Sequence, residues 1–406
     1  MIPELVEPRI VKYLYRKSAA AHTPVSGTFE LTPMCNMRCE MCYVRMTAEE
    51  MEKSGGRMRT HDEWIAMAET AKKQGMLFLL LTGGEPFLYP GFRELYEKLS
   101  EMGFVISINT NATMIDERVM EWLVKNPPAR MNITLYGASD ATYDRLCHNP
   151  KGYTQVTHAI QLLREAGITV KLNCSVTPYN IEDLPEMIQY AQDHDLVIQA
   201  SSYMFPPLRR DEHMVGRNRR FTPEEASLAA AEIVRLQNGD EKFGQYISLL
   251  EEGKAWLDTD GDECSLDVTD LKNDAEDQSI SREERKKGDY IRCSAGRCAF
   301  WITWDGRMLP CGMMTRPVAF PFRDGFEQAW KETGDIVNGI RLPGKCKDCT
   351  LKEQCHSCAA MVLTETDTFT EVPEYRCRMT KCYLEACRQV RERAEREKGR
   401  AEDEDK

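Results

Sequence analysis

No stretch of this sequence approaches the roughly 20 apolar residues that a membrane-crossing helix needs, so no membrane association is expected. The start, Met-Ile-Pro-Glu, lacks the basic-then-apolar pattern of a secretory signal. Positive charge is short: 53 Lys and Arg face 65 Asp and Glu, a net charge of −12. That balance argues against a general nucleic-acid surface and suits a small molecule, a peptide or a protein as partner. Cysteine is the unusual abundance, 16 among 406 residues. A secreted disulfide scaffold would be short and loop-rich. This chain is long and helix-patterned, so the cysteines read as metal ligands in a reducing cytoplasm. The length predicts one large domain and a smaller one.

From 27 to about 202, strand-like and helix-like runs alternate. Residues 27–32, 77–82, 105–109, 131–135, 170–176 and 197–201 are short, apolar and nearly continuous, the pattern of strands buried on both faces. Amphipathic helices are expected at 61–74, 92–102, 116–125, 153–166 and 182–193. The first opens with the capping box Thr60/Glu63; Gly103 and Gly167 stop the second and fourth. Six βα units predict a parallel α/β sheet, either doubly wound or curled into a partial barrel. Thr222-Pro223 opens another helix. Residues 258–278, with nine acidic side chains against Lys272, read as a solvated linker. An EF-hand is excluded there, because Glu263 stands where glycine is required and Thr269 where glutamate is.

The chemistry starts after the first strand, at Cys35-Asn-Met-Arg-Cys39-Glu-Met-Cys42. Three thiolates on one loop can hold three corners of a four-iron cluster, which ordinarily takes four cysteines. One iron is then left open to a ligand. Structural zinc is the alternative, and it would want a fourth ligand that the next fifteen residues do not supply. About forty residues on stands Gly83-Gly84-Glu85-Pro86, whose glycines let backbone approach a ligand closely.

Together these two motifs resemble the radical S-adenosylmethionine (radical SAM) superfamily. The resemblance implies a partial (β/α)6 TIM-like barrel. It implies that SAM chelates the open iron of a [4Fe-4S] cluster held by Cys35, Cys39 and Cys42. It implies that Gly83, Gly84, Glu85 and Pro86 hold the methionine amine. Asn109 and Asn111 after the third strand would contact the SAM ribose or carboxylate, and Asn173 or Ser175 on the fifth strand the ribose. Met41, where the family often has an aromatic residue, would pack on adenine. Tyr136, closing the fourth strand, could face substrate.

A second cysteine field follows: Cys293, Cys298 and Cys311, then Cys346, Cys349, Cys355 and Cys358, then Cys377. Eight thiolates suffice for two four-cysteine clusters, and the spacing is also zinc-compatible. The stretch resembles the SPASM extension of radical SAM enzymes, including its Gly-x4-Cys element at Gly306–Cys311. The resemblance implies two auxiliary [4Fe-4S] clusters in a smaller C-terminal cysteine-rich iron–sulfur domain. One would take Cys293, Cys298, Cys311 and Cys358, and the other Cys346, Cys349, Cys355 and Cys377. Cys382 could replace Cys377, since Cys377, Cys382 and Cys387 repeat every five residues.

The expected organisation is a lead-in (1–26), a radical SAM core (27–240), a helix and acidic linker (241–292), the auxiliary domain (293–390) and a charged tail (391–406). The resemblance implies oxidative modification of a peptide or protein, such as a crosslink or thioether, fed by a flavodoxin- or ferredoxin-type electron donor. The short lead-in leaves no room for a peptide-leader-binding domain, so a separate leader-binding protein is one possible partner. Sulfatase-maturing relatives carry an Asp base directly after the third cysteine of the first auxiliary cluster; here Gly312 stands there. Action on a small metabolite is the other enzymatic reading. A non-catalytic electron carrier is the third, against which the Gly83–Pro86 motif speaks. Tyr136, Asp140 and Asp305 are the candidate general bases.

Overall fold

The computed structural model describes residues 9–206, 220–253, 291 and 293–404. The acidic stretch 258–278, Cys264 and most of the basic segment between 208 and 220 lie outside the described residues. Six parallel strands follow one another across the sheet: β1 (Ser26–Glu30), β2 (Phe78–Thr82), β3 (Val105–Thr110), β4 (Arg130–Thr134), β5 (Val170–Ser175) and β6 (Val197–Ser201). All begin and end within two residues of the sequence expectation. Between them lie α2 (Ala48–Lys53), α3 (His61–Lys73), α4 (Phe92–Glu101), α5 (Glu117–Leu123), α6 (Asp140–Cys147), α7 (Gly152–Glu165) and α8 (Leu184–Asp193), with α1 (Arg9–Ala21) ahead of β1. The Thr60 capping box forms as expected, and Gly103 and Gly167 adopt positive φ just after their helices.

The strands are not apolar on both faces. Phe29 stacks on Trp64 of α3, 4.7 Å between ring centroids, so Phe29, Leu79, Leu81, Ile108, Met131, Ile133 and Leu172 form the helix-facing layer. Alternation then puts Glu30, Thr82, Asn109, Asn132, Thr134, Lys171 and Asn173 on the inner face. Register aligns Glu30 with Thr82, and Asn109 with Asn132 and Lys171. The inner face of this partial barrel is therefore polar, and several of its side chains, Glu30, Asn132 and Lys171 among them, are buried. Buried polar side chains that line an inner face are what a ligand-holding lumen requires and a packed core does not.

The cysteine-rich region does not begin as a separate body. β7 (Ala299–Ile302) pairs in parallel with β1, and β8 (Met308–Leu309) pairs with β7, extending the barrel sheet to eight strands. It continues through α11 (Pro321–Asp324), α12 (Phe326–Gly339), α13 (Ala359–Thr366) and α14 (Glu374–Glu404). A second core joins α9 (Pro223–Asn238) and α10 (Asp240–Glu251) to α14 through Ala231, Phe243, Ile247, Cys387 and Val390. Arg220 closes the junction. It bonds Glu365 at 2.6 and 3.1 Å and lies 3.8 Å over the Tyr375 ring, while Tyr203 donates to the same carboxylate at 2.9 Å.

Phe29→Ala leaves a cavity under the β1–α3 contact. We expect it to destabilise the fold by about 3–5 kcal/mol, read as a lower urea midpoint.

Candidate active site

The carboxyl edge of the sheet carries the site. The cysteine loop leaves β1 and is bound on two sides. On one side Gly84 N–H donates to Thr32 O at 2.6 Å, and Glu85 N–H to Met34 O at 2.8 Å. On the other, Arg38 N–H reaches Cys147 O at 2.9 Å and Glu40 N–H reaches Leu146 O at 3.0 Å, at the end of α6. The first contact requires glycine: a Cβ on Gly83 would lie 2.5 Å from Thr32 O, and one on Gly84 2.3 Å from Met34 O. The Gly83–Pro86 turn is thereby fixed directly against the cysteine loop.

The residues fit a cluster. Cys35 is pushed up to about 12, first by burial and then by Glu85, Cys39 and Cys42, so the three thiols share one field. Backbone N–H groups of Met37 and Arg45 point at the Cys35 and Cys42 sulfurs, 3.4 and 3.3 Å away, donors that suit thiolates. Metal loading has to displace the protons held on Cys35 and Cys39. Cys147 was not legible in the sequence as part of this neighbourhood. The turn of α6 brings its buried thiol to Cys39, and this hydrogen bond, with burial, raises Cys39 well above the ordinary thiol range.

Glu85 is fully buried, and its oxygens are occupied by the protein itself. They accept from Thr110 Oγ1 at 2.7 Å, Asn111 N–H at 2.9 Å and Phe87 N–H at 3.2 Å. It joins the end of β2 to the end of β3. Burial raises its pKa to about 7 against these three bonds. Pro86 opens the short 3-10 turn that follows. The expected SAM contacts diverge. Asn109 Oδ1 accepts from Asn132 at 2.8 Å on the inner face, whereas Asn111 turns to the cysteine loop. Asn173 and Ser175 are half-buried on the inner face of β5. Met41 is buried in the main core.

Of the three candidate bases, Tyr136 lies beside the cysteines. Burial first, then Cys39, Cys147 and Cys42, push its pKa far above the ordinary phenol value, so the hydroxyl keeps its proton. Asp140 accepts from Thr154 N–H and Oγ1 at 3.0 and 2.6 Å, capping α7. Asp305 serves the β7–β8 turn, accepting from Thr303 and pairing with Arg307 at 2.8 Å.

The second cysteine field separates into two groups. Cys346 lies in the field of Cys355, Cys349 and Cys377, which raise it after burial does. Cys293 lies in the field of Cys358, and Cys298 in that of Cys293. Cys311 and Cys358 pack on one cluster with Met314 and Phe205. Cys377, Cys382 and Cys387 all lie on α14. Five residues at about 100° each turn successive cysteines about 140° apart. Cys382 accordingly faces Glu224 at 3.8 Å, and Cys387 is buried in the second core. Among the described residues no three His, Cys, Asp or Glu side chains converge closely enough to hold a single metal ion.

The three-cysteine loop and the Gly83–Pro86 turn thus meet at the carboxyl edge of the parallel sheet. Residues 29–191 match the sequence profile of the Radical SAM superfamily, and the chain carries a radical SAM domain. It is 23% identical over 364 residues to an AdoMet-dependent heme synthase of Methanosarcina barkeri, a match covering 88% of this chain and 97% of that one. It is 26% identical over 356 residues to a PqqA peptide cyclase of Gluconobacter oxydans, covering 84% and 87%. Streptococcus suis SuiB, in its structure bound to precursor peptide SuiA, shares the fold with a TM-score of 0.58 at 20% identity, covering 92% and 80%.

Two outcomes follow from the site. Cys377→Ala is expected to lose the same iron as Cys355→Ala, about four per chain, while Cys382→Ala keeps full iron by colorimetric assay. The raised Glu85 pKa means that the folded state holds its proton more tightly than the unfolded chain. Its contribution favours folding most below pH 4.5 and is lost as pH rises towards about 7. Glu85→Gln should remove this component from the pH dependence of the urea midpoint.

Proposed function

We propose that this chain is a radical SAM enzyme that oxidatively modifies a peptide or protein. The observation that carries the reading is the pair of backbone hydrogen bonds tying Gly84 and Glu85 to residues 32 and 34, beside a loop of three neighbouring thiols. Cys35, Cys39 and Cys42 hold the radical cluster, and the Gly83–Pro86 turn holds the SAM amine. Bound there, a four-iron cluster with an open corner supplies the electron that cleaves SAM to methionine and a 5′-deoxyadenosyl radical. The polar inner face, with Asn173 and Ser175 near its mouth, orients SAM and substrate. Tyr136 donates a hydrogen bond at the rim.

Two auxiliary clusters belong to the same reading. Cys293, Cys298, Cys311 and Cys358 hold one, and Cys346, Cys349, Cys355 and Cys377 the other, within a SPASM-type extension. Tyr203 at the end of β6 lies in the field of Cys358, so the first group borders the barrel mouth, where it can accept the second electron. An external flavodoxin- or ferredoxin-type protein feeds the radical cluster.

A peptide substrate is supported by the match to the PqqA peptide cyclase along most of both chains. The sulfatase-type reading is disfavoured at Gly312, where any Cβ would lie 2.6 Å from the Trp301 ring. That ring is itself anchored by Trp301 Nε1 donating to Glu30 at 2.9 Å, so an aspartate has no room. A small-molecule substrate is the second reading, favoured by the nearly end-to-end match to the heme synthase.

The anaerobically reconstituted chain, given SAM and a reductant, is expected to form 5′-deoxyadenosine. The triple variant Cys35→Ala, Cys39→Ala, Cys42→Ala forms none and keeps about eight of an expected ~12 irons. Unchanged iron in that variant would contradict the cluster assignment. Stimulation by peptides but not by small metabolites selects the first reading, and the reverse selects the second.

A further inference from the structure

Asn111 follows β3 and is 7% exposed. Its backbone N–H is taken by Glu85. Its side chain closes a ring of three: Asn111 Nδ2 donates to Asn36 Oδ1 at 2.9 Å, Asn36 Nδ2 to Thr113 Oγ1 at 2.8 Å, and Thr113 Oγ1 to Asn111 Oδ1 at 2.6 Å. The backbone N–H of Thr113 also donates to Asn111 Oδ1, at 3.0 Å. A backbone N–H can only donate, so the oxygen end of the amide must face Thr113 and the NH2 end must face the cysteine loop. That NH2 group stands 3.6 Å from Cys35 Sγ, an ordinary reach for a donor to the larger sulfur atom.

We propose that Asn111 is a positioning residue of the radical centre: it donates a hydrogen bond to the Cys35 sulfur and thereby raises the reduction potential of the cluster that Cys35 helps to hold. A donor to a ligand sulfur stabilises the more negative, reduced state, and such bonds are among the determinants of cluster potential. The Asn36–Thr113 ring fixes the amide so that the donor cannot turn away. The bond from Asn111 N–H to Glu85 ties this donor to the turn that holds SAM. The inference rests on the assignment of Cys35, Cys39 and Cys42 as cluster ligands.

The test is a redox titration of the reconstituted full chain, following the electron paramagnetic resonance signal that changes when SAM is added. Wild type is compared with Asn111→Leu, which keeps volume and loses the donor, and with Thr113→Val, which loosens the ring without touching the sulfur. At the wild-type midpoint, Asn111→Leu is expected to lower the reduced-to-oxidised ratio about tenfold, equivalent to about 59 mV for one electron. Thr113→Val lowers it by a smaller factor, and both variants keep wild-type iron. An unchanged ratio in both variants overturns the proposal. So does loss of the SAM-responsive cluster from both, which would make the ring a structural support only. A wild type that holds iron but shows no SAM-responsive signal overturns instead the cysteine assignment on which the proposal rests.

Discussion

The site depends on one close contact between two stretches of backbone. Gly83 and Gly84 press against residues 32–34 so tightly that no side chain fits, and two hydrogen bonds hold them there. The loop that follows carries the three cysteines. The turn that follows carries Glu85, whose buried carboxylate reaches on to Thr110 and Asn111. The ends of β1, β2 and β3 are thus joined edge to edge. Displacing the Gly83–Gly84 turn by the ångström that a methyl group needs would pull it away from the three-cysteine loop. A reaction that must bring an electron donor and a sulfonium together tolerates little of that.

The second constraint is the division of the sheet into two faces. The outer face is a conventional apolar layer under the helices. The inner face carries Glu30, Asn132, Lys171 and their neighbours, buried but polar. Such a surface is costly unless something bonds to it, and Asn132 Oδ1 is buried with no partner among the described residues. β7 enlarges this arrangement. By pairing with β1 it places Trp301 against Glu30 and Gly312, so the cysteine-rich region helps to form the wall of the barrel.

Much of this was legible in the sequence. The strands could be read because each is short and carries an apolar helix-facing row, although their inner face is polar rather than apolar as the sequence pattern suggested. The two motifs could be read because the spacing of cysteines and the Gly-Gly-Glu-Pro turn express local geometry. What escaped depends on direction or on long-range pairing. Asn109 and Asn111 are two residues apart, yet one bonds across the sheet and the other turns to the cysteine loop, because the strand ends between them. That Cys377 and Cys382 face different directions follows only from α14 starting at Glu374, so that helical twist separates them. The approach of Cys147 to Cys39 and the pairing of β7 with β1 join segments distant in sequence, and no local pattern announces either. Asp140 and Asp305 are acidic residues at polar turns, and only the structure shows that their carboxylates are occupied in capping and turn-holding.

The central claim is that the three-cysteine loop leaves an iron to which SAM binds directly through its methionine amine. Electron–nuclear double resonance on the reduced, reconstituted protein, with SAM labelled at that nitrogen, tests it. The account predicts a hyperfine coupling from the labelled nitrogen that disappears with unlabelled SAM. Bound SAM with no nitrogen coupling to any cluster would contradict it.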